Sequence, residues 1–125
     1  MSQKRGKVKD PWLKLLKKVE LCGSSQASRS RIKKVTITKE DLKEQFSKQS
    51  GCCYWFGIPI NIDDVYTTNN PLAPSVDRLD NDEDYHKNNI VICTILANMG
   101  RGKCGEKTFE KIIQKIKNSL RNDED

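Results

Sequence analysis

A chain of 125 residues is long enough for one domain with a modest core. Hydrophobic residues are 35% and charged residues 32%; no apolar run approaches the roughly 20 residues that a membrane span needs, and no signal peptide is recognisable. The net charge of +6 favours a polyanionic partner.

The charge is unevenly spread. Residues 1–36 hold eleven Lys/Arg and two Asp/Glu, so the rest of the chain is net negative. An electropositive N-terminal part followed by a carboxylate-rich centre suits a protein that holds phosphates with one part and a cation with the other; a solubilising basic tail has the same composition. Cys22, Cys52, Cys53, Cys93 and Cys104 form an odd set, and with no signal peptide this implies reduced thiols inside a cell.

In chain order, residues 1–9 are polar and basic and read as disordered. Asp10-Pro11 is a helix start, with Asp as the cap and Pro at the first helical position. Trp12, Leu15, Leu16 and Val19 then form one apolar stripe opposite Lys14, Lys17 and Lys18, and Gly23 is a natural stop. Residues 23–34 read as a flexible basic linker. Val35-Thr36-Ile37 is a short extended piece. Thr38 with Asp41 matches a capping box for a helix carrying Leu42 and Phe46 and ending near Gly51.

From Cys53 to Ile62 the aromatics and the alternation of Ile58, Ile60 and Ile62 predict an extended segment. Asp63–Pro74 reads as a loop. Val76–Leu79 and Ile90–Cys93 are two short strands able to pair as a hairpin around the polar turn 81–89. Thr94 can cap a helix carrying Ile95, Leu96, Asn98 and Met99, ended by Gly100 and Gly102. Phe109, Ile112, Ile113, Ile116 and Leu120 mark a last helix, and residues 122–125 form a frayed tail. The pattern predicts an α+β domain, a hairpin-helix core with flanking N- and C-terminal helices.

The chemistry gathers between Pro74 and Asn98, where carboxylates, Arg78, the single histidine His86, Asn89 and Asn98 lie within one strand-loop-strand-helix unit. A carboxylate on the first strand and an amide oxygen on the helix can meet on one side of a hard cation such as Mg²⁺, which keeps waters and takes phosphate oxygens for the rest of its shell. Taken singly, Asp77 and Asp80 are also ordinary turn and cap residues, Asn89 and Asn98 ordinary structural ones, and His86 an ordinary surface histidine. Their joint spacing is what points to a site.

Asp77-Arg78-x-Asp80, Tyr85, Asn89, Asn98 and the basic Arg101/Lys103 pair resemble the ββα-metal site of HNH endonucleases. The resemblance is closer to a phage- and virus-type branch reading Pro-Ser-x-Asp-Arg-x-Asp, and it extends upstream through Ile37–Leu42 and Cys53–Ile60, covering about residues 36–113. It implies a basic arm over 1–35 (amphipathic helix at about 10–22, then linker), a nuclease domain over 36–121 and the tail. Asp77 matches the metal-binding carboxylate, Asn98 the second protein ligand on the helix, and Asn89 the residue that holds the loop through side-chain to backbone bonds. Lys103, with Arg101, matches a basic position meeting DNA phosphate, and Lys33 and Lys34 of the linker join that surface.

The implied protein is a metal-dependent endonuclease of homing or recombination type, acting on double-stranded DNA with Mg²⁺ or Mn²⁺, in the cytoplasm of an infected cell if it is viral. A homodimer is the arrangement that would cut both strands. One position departs from the family: most members have the general-base histidine where Arg78 stands. A guanidinium stays protonated and has no acceptor, so it serves a phosphate and not a water. Asp80 ranks ahead of His86 as a substitute base, and metal-bound hydroxide acting without a protein base is the third possibility. No Cys-x-x-Cys occurs, so a structural zinc is not expected. The endonuclease is the favoured expectation. The alternatives are a non-catalytic DNA-binding protein on a degenerate HNH scaffold, which Arg78 favours, and an interaction protein using the helix at 10–22.

Overall fold

The computed structural model describes residues 9–23 and 34–122. Expectations for residues 1–8, for most of the basic linker including Lys33, and for the end of the tail lie outside the described residues. Among the described residues the fold is α+β, with four α-helices and a two-stranded antiparallel hairpin. No described helix is long and apolar enough to cross a membrane.

Helix α1 (Pro11–Gly23) starts as its sequence dictates, with the Asp10 carboxylate accepting from the backbone N–H groups of Trp12 and Leu13. Its apolar stripe enters the common core through Leu15 and Val19, and the Trp12 ring meets Phe46 edge-on at 5.3 Å. The helix expected within a basic arm is therefore packed into the domain. Lys14 and Lys17 stay exposed on its outer side.

Helix α2 (Lys39–Lys48) carries the expected capping box, Thr38 with Asp41. Beyond it the chain departs from the extended segment expected at Cys53–Ile62. A turn at 54–57 folds it back, with Gly57 at φ +79°, and Cys53 N–H donates to Ile58 C=O at 2.7 Å. Alternation is lost: Ile60 is buried while Ile58 is exposed. Part of the following loop, Ile62–Tyr66, is a 3₁₀ turn that buries Val65.

The hairpin joins β1 (Pro74–Arg78) to β2 (Ile90–Thr94), with Val76 opposite Ile92 and Asp77 opposite Val91. All five residues of β2 are buried, since helices and loops cover both of its faces. The outer edge of β2 is not left open. The Gln49 amide acts like a short strand against it, donating to Ile92 C=O at 2.7 Å and accepting from Ile92 N–H at 2.9 Å, while Tyr54 N–H also reaches Ile92 C=O. Thr94 caps α3 (Ile95–Arg101), and α4 (Glu106–Asn122) follows, packing Phe109 and Ile113 inward.

Replacing Gln49 with Ala removes both bonds and leaves the Ile92 N–H without its amide partner. We expect a loss of about 1–2 kcal/mol, read as a lower urea midpoint with an unchanged slope.

Candidate functional site

The hairpin sets the geometry of the centre. Side chains alternate along β1, so Ser75 and Asp77 share one face and Val76 takes the other, where it enters the core. Helix α3 crosses the Ser75 face: the Asn98 amide donates to Ser75 Oγ at 2.8 Å and to Val76 C=O at 3.3 Å. The two residues that the resemblance makes metal ligands thus lie at one strand-helix junction.

Their surroundings differ from the expectation. Asp77 is only 6% exposed, and its Oδ2 accepts from Trp55 Nε1 at 3.0 Å and from Arg101 Nη1 at 2.9 Å. Arg101, expected on a DNA-facing surface, is 2% exposed. Its guanidinium also donates to Arg78 C=O at 2.6 Å, Leu79 C=O at 2.7 Å and Cys104 C=O at 3.0 Å, so four of its five N–H donors are used inside the protein. The Trp55 ring covers it at 4.9 Å. Arg101 cannot meet phosphate in this arrangement. The reason is its place in the last turn of α3, which points its long side chain back beneath the end of β1.

The loop between the strands is held by its own side chains. Asn89 is 4% exposed; it accepts from Asp80 N–H at 2.8 Å and donates to the carbonyls of Asp80 at 3.1 Å and Asp84 at 3.0 Å. These are side-chain to backbone bonds of the kind that the resemblance implies for it. Arg78 Nη1 donates to the carbonyls of Asn81 and Glu83, and the guanidinium lies 5.1 Å from the Tyr85 ring centre. That makes Arg78 a clasp across the loop through Nη1.

Asp80, expected as the base, is exposed and accepts from Asp82 N–H at 2.9 Å, a turn-stabilising bond. His86 pairs with Glu83 at 3.0 Å on the same loop. The structure gathers neither of them with Asp77 through a hydrogen bond.

Lys34 and Lys103 are exposed, as a phosphate-facing role requires. The backbone at Lys34 pairs with the loop: Tyr85 N–H donates to Lys34 C=O at 2.9 Å and Lys34 N–H to Asp84 Oδ1 at 3.1 Å.

A divalent cation at this centre would meet a carboxylate that is engaged through one of its two oxygens. Magnesium requires octahedral oxygen ligands at about 2.0–2.1 Å. Here one Asp77 oxygen already serves two donors, and its charge is opposed by a buried guanidinium at 2.9 Å. Among the described residues no group of three or more His, Cys, Asp or Glu is placed to hold a metal ion. Cys93 lies opposite Ser75 on β2; burial first, and then the nearby Asp77 carboxylate, push its thiol far above the ordinary range. Together with Cys53, which is 2% exposed, it acts as a small core residue.

Sequence reasoning missed Trp55. Its indole joins the carboxylate to the aromatic contact with Phe109 of α4, ring centres 5.3 Å apart. The available signal was a tryptophan within the Cys53–Phe56 run, whose N–H needs an acceptor when buried.

Two outcomes follow from this geometry. Asp77→Asn leaves the Arg101 charge buried without its counterion and should cost about 3–5 kcal/mol, measured by urea unfolding. In the folded protein Cys93 should stay unmodified by a thiol reagent at mildly alkaline pH and react only on unfolding, as followed by mass spectrometry.

Comparison of the chain with protein-family models, with curated proteins and with solved structures finds no match.

Proposed function

We propose that this chain is a double-stranded DNA-binding protein on an HNH-like hairpin-helix scaffold, without the phosphodiester chemistry of that family. The observation that carries this reading is the commitment of Asp77 to Arg101 and Trp55. The carboxylate that would have to take a metal is buried and neutralised. Arg78, at the position of the family's base, spends its Nη1 on loop carbonyls. The two candidate bases, Asp80 and His86, are bonded within their own loop, to Asp82 N–H and to Glu83.

DNA binding is supported by the resemblance and by the charge of +6. The exposed lysines, among them Lys14, Lys17, Lys34 and Lys103, are suited to phosphate contacts that carry affinity and little sequence information. Such binding weakens steeply as salt rises.

A second reading keeps the endonuclease of homing or recombination type, using Mg²⁺ or Mn²⁺. The observation that favours it is the shared face of Ser75 and Asp77, onto which Asn98 closes at 2.8 Å. In that reading the metal takes Asp77 Oδ1, since Trp55 and Arg101 both donate to Oδ2.

Incubation with supercoiled plasmid in Mg²⁺, in Mn²⁺ and in EDTA separates the two. We expect no nicking in any of them, with duplex binding that persists in EDTA and falls steeply with salt. Metal-dependent nicking that Asp77→Ala abolishes would establish the endonuclease instead. Absence of duplex binding at low salt would remove the nucleic-acid role altogether.

A further inference from the structure

We propose that Arg101 is the resident cation of the hairpin-helix junction, held in a cage of four oxygens that is shaped for a guanidinium ion and makes the fold independent of divalent metal. The cage consists of Asp77 Oδ2 at 2.9 Å, Arg78 C=O at 2.6 Å, Leu79 C=O at 2.7 Å and Cys104 C=O at 3.0 Å. Its ligands come from the end of β1, the residue after it and the α3–α4 connection, so one cation joins three parts of the chain. Trp55 closes one side, its ring 4.9 Å from the guanidinium carbon.

The shape decides which cation belongs there. The oxygens address three different nitrogens of a planar group, Nε, Nη1 and Nη2. They are therefore spread around the edge of a fork and do not converge on a point. A metal ion needs convergence on one centre at about 2.0–2.1 Å for Mg²⁺. One carboxylate balances one positive charge, which also suits guanidinium better than a divalent ion. Two carbonyls come from consecutive residues, Arg78 at the last paired position of β1 and Leu79 just after it. Both are backbone acceptors that need a donor when buried.

This inference rests on the junction geometry and not on DNA binding, so its test is a melting experiment on the full chain. The wild-type melting temperature should be the same in EDTA, in millimolar Mg²⁺ and in millimolar Mn²⁺. Arg101→Ala should melt lower by roughly 10 °C or more. Millimolar guanidinium chloride should restore part of that loss, where equal NaCl, MgCl₂ or MnCl₂ does not. Arg101→Lys should fall between the two, because an ammonium reaches fewer of the oxygens. If Arg101→Ala does not fold by itself, the same salts are compared for the yield of folded protein by near-UV circular dichroism, where only guanidinium should raise it.

A wild-type melting temperature that drops in EDTA or rises with Mg²⁺ or Mn²⁺ would overturn the proposal in favour of a metal at the junction. Arg101→Ala melting like the wild type, or failing to respond to guanidinium, would show that no such cage exists. DNA binding in the wild type can fail without affecting any of these results.

Discussion

The buried pair of Asp77 and Arg101 is the constraint around which the domain is arranged. Its partners are distributed over β1, the turn after it, the α3–α4 connection and the aromatic loop before the hairpin. Removing two charges from water costs several kcal/mol per ion, and only near-complete hydrogen bonding offsets that cost. The four donated N–H groups of Arg101 and the Trp55 indole supply that bonding. The pair therefore ties the helix, the strand and the loop together at one point.

Around this centre Asn89, Arg78 and Asn98 each bond to neighbouring parts of the chain. Asn89 and Arg78 span the loop from opposite ends, one through three bonds to the backbone of Asp80 and Asp84, the other through the carbonyls of Asn81 and Glu83. Asn98 ties α3 to β1 through Ser75. Trp55 passes the connection to Phe109, so the last helix is seated on the same cluster. The chemistry of a metal site and the mechanics of a rigid junction ask for the same residue types, which is why the motif supports two functional readings.

Several local elements were legible from the residues themselves. Asp10 with Pro11, Thr38 with Asp41 and Thr94 before α3 are caps, and capping is a short-range interaction between near neighbours in the chain. The hairpin followed from two apolar runs around a polar turn, and Asn89 is placed as its position in the motif implied. The extended segment expected at 53–62 failed because Gly57 permits a turn that alternation cannot reveal. There the isoleucine spacing reflects a single buried residue, Ile60, between two more accessible ones.

By itself the sequence determined the α+β pattern, the helix starts, the strands and the basic balance of charge, because these depend on residue type and on contacts a few positions apart. It also placed Asp77, Arg78, His86, Asn89 and Asn98 in one strand-loop-strand-helix unit. Only the tertiary structure decided what those residues face. Asp77 and Arg101 lie 24 positions apart, and nothing in either neighbourhood distinguishes an arginine bound for solvent from one bound for a buried carboxylate. That choice is made when α3 packs across β1 and carries the guanidinium under Trp55, where desolvation leaves Arg101 no stable partner except the oxygens already waiting there.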